Sequence, residues 1–114
     1  MNINELIEQC RTAPQYLEFE QVMAVIDQYY DYTHSQFNNG EINNPAGSNE
    51  GACKIFAFAQ LNNLSEMETL SLFGRYYRED VMDHPEGDDH SNIRNFLLDG
   101  WLGIHFDKVV LYEK

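Results

Sequence analysis

The chain has 114 residues, of which 43% are hydrophobic and 13% aromatic, enough apolar surface for one packed domain over residues 1–114 without disulfide staples or structural zinc. Nineteen Asp and Glu stand against seven Lys and Arg, a formal charge of -12, and that charge repels phosphate backbones and anionic lipid, which argues against nucleic-acid and membrane partners. Two cysteines without a CxxC pairing fit a reducing compartment. The first ten residues have neither a basic nor an apolar signal region, and no window approaches the roughly 18 apolar residues of a membrane span, so a cytoplasmic location is expected.

Ile3, Leu6, Ile7 and Cys10 recur at helical spacing behind a capping Asn2, predicting a helix that Pro14 ends. From Glu18 to Asp31, Phe19, Val22, Met23, Ile26, Tyr29 and Tyr30 form one apolar stripe, predicting an amphipathic helix. Tyr32 to Phe37 alternates weakly, as a short edge strand would. Asn38 to Gly51 reads NNGEINNPAGSNEG, a turn composition without periodicity that predicts a loop of functional length.

EGACKIFAFAQLN, residues 50–62, is apolar almost all round and predicts a buried central helix. Ser65 and Glu68 form a capping box opening a helix predicted to reach Met82. After the loop DHPEGDDH, Asp88 or Asp89 is the expected cap of a last helix that places Ile93, Phe96, Leu97 and Gly100 on one face. The tail has two β-like runs, Ile104 to Phe106 and Val109 to Tyr112, with Asp107 and Lys108 between them as a hairpin turn. The expected fold is mainly α (α+β): about five helices around a buried central helix, with a small antiparallel C-terminal hairpin or sheet.

The strings NEGACKIFAFAQL, LFGRYYREDV, HPEGDDHSNIRNF and GWLGIHF, with the earlier FNNG, resemble the HopJ type III effector family from about Tyr16 to Asp107. The resemblance implies a bacterial, effector-like protein, with export as an alternative to a cytoplasmic location. It carries over no catalytic or ligand-binding residue.

Two places have residues suited to chemistry. Cys53 lies in the first turn of the central helix, where the helix dipole and free N–H groups depress a thiol pKa, and His84, His90 or His105 would serve as its base in a cysteine-dependent hydrolase or transferase. The plainer reading makes Cys53 a small core residue. Gly47, Gly51 and Lys54 do not fit the spacing of a phosphate loop. The second place is the loop from His84 to His90, where His84, Asp88 and His90 have the donor types of a zinc, iron or manganese site in a metal-dependent enzyme. There the plainer reading is a turn with helix caps.

The tyrosine pairs and Trp101 suit either a core or a recognition surface. No motif has the specificity of a catalytic signature, so the leading expectation is a binding or regulatory module. Neither cofactor, partner nor oligomeric state is specified by the residues. If the loops 38–51 and 84–90 meet at one end of the bundle, they gather Asn49, Glu50, His84, Asp88, Asp89 and His90, with Cys53 and His105 as further members, into the densest group of ligand-type side chains, and a functional site is expected there.

Overall fold

A computed structural model of the chain describes all of residues 1–114. The first helix, α1 (Ile3–Thr12), opens on a reciprocal cap in which the Asn2 side chain accepts from the Glu5 N–H and the Glu5 carboxylate accepts from the Asn2 N–H, each at 2.8 Å. Helix α2 (Phe19–Tyr29) follows a single 3₁₀ turn that begins at Pro14. Helix α4 (Glu66–Ser71) opens on the Ser65 and Glu68 capping box. In contrast, α3 (Glu50–Leu61) and α5 (Ser91–Asp99) begin after Asn49 and His90, both left-handed, with φ of 51° and 49° and no capping side chain. Those two starts define the site described below.

Five three-residue strands form two antiparallel sheets. Strand β1 (Tyr30–Tyr32) pairs with the C-terminal β5 (Leu111–Glu113), Tyr30 opposite Glu113. Strand β2 (Phe37–Asn39) lies between β3 (Ile42–Asn44) and β4 (Ile104–Phe106), with Phe37 opposite Asn44 on one side and Phe106 on the other. Both runs of the tail are therefore strands, but they do not form a hairpin with each other. Val110 explains why: it is buried, and its carbonyl accepts from the Thr33 N–H at 2.8 Å, anchoring the connection to the β1 side. The segment 38–51 is also more ordered than its composition suggests. Gly40, at φ 60°, makes the two-residue turn that lets β2 fold back onto β3.

The central helix is α3, as its unbroken apolar sequence requires. Cys53 and Ile55 through Ala59 are all buried. The Phe56 ring lies 4.9 Å from Phe96, 5.6 Å from Phe73, 6.1 Å from Phe37 and 6.3 Å from Trp101, so one side chain ties the middle of the chain to α5, the β2 sheet and the segment after α4. Such aromatic contacts add about 0.5–1.5 kcal/mol each beyond simple burial.

The helix expected from Ser65 to Met82 is broken instead. It ends at Ser71, and Gly74 adopts φ 63° where a Cβ would lie 2.8 Å from the Phe19 backbone nitrogen. The chain then continues as a π-helix, Tyr76–Val81. Close passage of the α2 start forces the interruption, and this turns Tyr76 toward Phe19, 5.2 Å between centroids.

Candidate functional site

The starts of α3 and α5 face a common cleft of about 330 Å³, lined by Asn49, Gly51 and Ala52 on one side and by His90, Ser91, Asn92 and Ile93 on the other. Phe19, Phe73 and Tyr76 complete it. The first N–H groups of any helix lack intrahelical acceptors. In α1 and α4 the capping side chain takes the third of these N–H groups, whereas in α3 and α5 none of the N–H groups of residues 50–52 and 91–93 has a protein acceptor. Five of those six residues, Gly51, Ala52, Ser91, Asn92 and Ile93, line the opening, so two helix starts bring unpaired donors and the positive ends of two helix dipoles to it. On the aromatic side, the His90 ring stacks on Tyr76 at 5.1 Å and 29°, while His90 Nε2 lies 3.0 Å from the Asp80 carboxylate.

Buried amides hold the two starts in register. Asn39, Asn44 and Asn92 are 0%, 1% and 6% exposed, and each polar group finds a partner. Asn92 donates to the Asn44 side-chain oxygen at 2.9 Å, while its own oxygen accepts from Asn39 and Asn44, both at 3.1 Å. Asn49 donates to the same Asn44 oxygen at 2.7 Å, and Asn95 donates to Asn39. The β2–β3 hairpin therefore serves as a bracket joining the residue before α3 to the first turn of α5. The asparagine-rich composition of 38–49 reflects this bracket.

The loop from Asp83 to His90 is organised around the Arg94 guanidinium. Arg94 donates to the carbonyls of Asp80, His84 and Asp89 and to the Asp89 carboxylate, at 2.6 to 3.2 Å. Gly87 must be small because a Cβ there would sit 2.5 Å from an Arg94 nitrogen. Asp80, Asp89 and His90 do place one metal-type donor each within 4.8 Å. Arg94 already supplies a cation to the Asp89 carboxylate, and its guanidinium there holds that carboxyl below the usual carboxylate range.

Of the residues singled out from sequence, Asn49 and His90 line the cleft. Glu50 is exposed and accepts from the Tyr32 hydroxyl at 3.3 Å. His84 and Asp88 are exposed on the loop and outside the metal-type trio, and Asp89 pairs with Arg94 rather than capping α5. His90 takes the cap position because its left-handed backbone turns the chain into the helix. His105 lies exposed on β4, its ring nitrogen 3.0 Å from the Leu102 carbonyl. Cys53 is 1% exposed, and its nearest polar neighbours are the Ser35 carbonyl and Tyr32; burial pushes its thiol pKa up, the opposite of activation. Phe19, Asn92 and Arg94 do not stand out as site residues in the sequence, whereas Tyr76 does so only as one of the tyrosines suited to a recognition surface. Phe19 reads as part of an apolar stripe, and no local pattern reports the long-range partners of Asn92 and Arg94.

The left-handed His90 yields a direct expectation. His90→Gly and His90→Ala both remove the ring, but only alanine retains the steric cost of positive φ. The glycine variant is expected to be more stable than the alanine variant by about 1 kcal/mol in urea denaturation. Equal stability would mean that the backbone there is not left-handed.

The family model described as HopJ type III effector protein matches residues 3–111. A crystal structure described as that of unknown function protein VPA0580 superposes with a TM-score of 0.97 at 48% identity, covering 100% of this chain and 95% of that one. No curated protein matches the sequence.

Proposed function

The chain belongs to the HopJ type III effector family, and from that premise we propose that it works as a binding module whose site is the cleft between the starts of α3 and α5. The observation that carries this reading is the convergence of two uncapped, left-handed helix starts on one opening. Native helix ends are ordinarily capped, and leaving donors free to face a cleft suits a ligand with acceptor oxygens. Asp80 and Asp89 near His90, with Glu50 beside the α3 start, disfavour a dianion. Phe19 and Tyr76 provide flat apolar walls. A compact aromatic monocarboxylate matches both features.

The volume is at the small end of the roughly 300–1,000 Å³ typical of ligand sites. No helix is long and apolar enough to cross a membrane. The cysteine-enzyme and metal-enzyme alternatives have less support: burial of Cys53 works against the first, and Arg94 already pairs with the Asp89 carboxylate that the second would use.

Thermal unfolding in the presence of benzoate, benzamide or inorganic phosphate separates these possibilities. Benzoate is expected to raise the Tm in a saturable way, benzamide less, and phosphate least. His90→Gly, which keeps the backbone but removes the stacked ring, is expected to weaken the benzoate effect severalfold. Equal responses to phosphate and benzoate, or no response to either, would contradict the proposal.

A further inference from the structure

A second, larger cavity of about 410 Å³ is bounded by α1, the 3₁₀ turn after it, α4 and the π-helix. Its apolar lining comes from Pro14, Met67, Tyr77 and the buried Cys10, and Met67 is left 64% exposed. Arg11 and Arg78 also line it. In a chain with only seven Lys and Arg against nineteen Asp and Glu, Arg11 and Arg78 on the cavity wall with Arg75 beside them are an uncommon concentration of positive charge.

Two carboxylates stand near these arginines, Glu68 on the cavity wall and Glu18 beside it, whose Oε2 has no hydrogen-bond partner. Glu68 accepts from Arg11 Nε at 2.8 Å and caps α4, while Glu18 pairs with Arg75 and Arg78 at 3.6 and 3.1 Å. Arg11 uses only its Nε, so both terminal nitrogens lack a protein acceptor. Arg78 spends its terminal nitrogens on the Leu17 carbonyl and Glu18, which leaves its Nε without one. Guanidinium donors that remain free at the mouth of an apolar hollow are complementary to a carboxylate with a hydrocarbon tail. An exposed methionine is an adaptable wall for such a tail.

We propose that this cavity binds an amphipathic monocarboxylate of the medium-chain fatty acid type, its head at Arg11 and Arg78 and its tail against Met67, Pro14 and Tyr77. The site is separate from the cleft between α3 and α5, and neither depends on the other.

Isothermal titration of the purified chain with octanoate tests this, with octylamine, octanol and acetate as controls for charge sign, charge and tail. Octanoate is expected to bind saturably, and each control at least tenfold more weakly. Arg11→Gln and Met67→Glu alter exposed side chains and should leave the fold intact by circular dichroism, yet each is expected to weaken octanoate at least fivefold. Benzoate occupying the cleft should leave octanoate affinity unchanged. Absence of octanoate binding, equal binding of octylamine, insensitivity to both substitutions, or displacement of octanoate by benzoate would overturn the proposal.

Discussion

Replacing Asn92 by alanine is expected to cost about 3 kcal/mol of folding stability, far more than the loss of one hydrogen bond. The reason is what remains behind. Asn39 and Asn44, both fully buried, would each lose one of two acceptors, keeping only the Asn92 and Phe37 backbone carbonyls respectively, and the Asn44 oxygen would lose one of its donors. A buried polar group left wholly without partners costs about 1–3 kcal/mol, and here three groups are each left one partner short. Asn44→Ala should be similarly costly, and the double variant should cost less than the sum, with a coupling of about 1–2 kcal/mol, because each single change already breaks the shared bond. Urea denaturation of the four proteins checks this. Additive losses would show that the amides are not one network.

Arg94→Ala is expected to cost about 2–3 kcal/mol and to release the loop from Asp83 to His90. The side chain is only 17% exposed and fastens three carbonyls. Lysine should recover little of this, because a single ammonium cannot reproduce a planar fork that reaches several acceptors. The Asp89 carboxyl, held below the usual range mainly by its hydrogen bond from Arg94, adds a pH signature. Its contribution is complete above the ordinary carboxylate pKa and fades as pH falls through the lowered value. That acid-sensitive part should vanish in Arg94→Ala. Hydrogen exchange over 83–90 that is unchanged in the variant would contradict the assigned role.

Both residues show where a sequence stops being legible. The apolar run 50–62 and the capping box at Ser65 could be read directly, because burial on all sides and a reciprocal cap leave local patterns. The α4 end could not be read, since helical spacing continues through Leu70, Phe73 and Tyr77, while Gly74 is explained only by the backbone of Phe19 passing beside it. The C-terminal strands were visible as β-like runs, but three-residue strands carry too little pattern to specify partners, and a buried Val110 decided the pairing. At the site, topology suggested that the two loops meet, and Asn49 and His90 do share a cleft. His84, Asp88 and His105 do not line it. Histidines and aspartates attract notice as ligand types, whereas unpaired backbone donors and left-handed turns have no letter of their own.

The central claim, that the two uncapped helix starts form a binding site, is tested most directly by following every backbone amide in a two-dimensional ¹⁵N NMR titration with benzoate. The expected result is saturable shifts concentrated at Gly51, Ala52, Ser91, Asn92 and Ile93, sharing one dissociation constant and reduced in His90→Gly. Shifts absent from those amides at saturating benzoate, or concentrated elsewhere on the molecule, would contradict it.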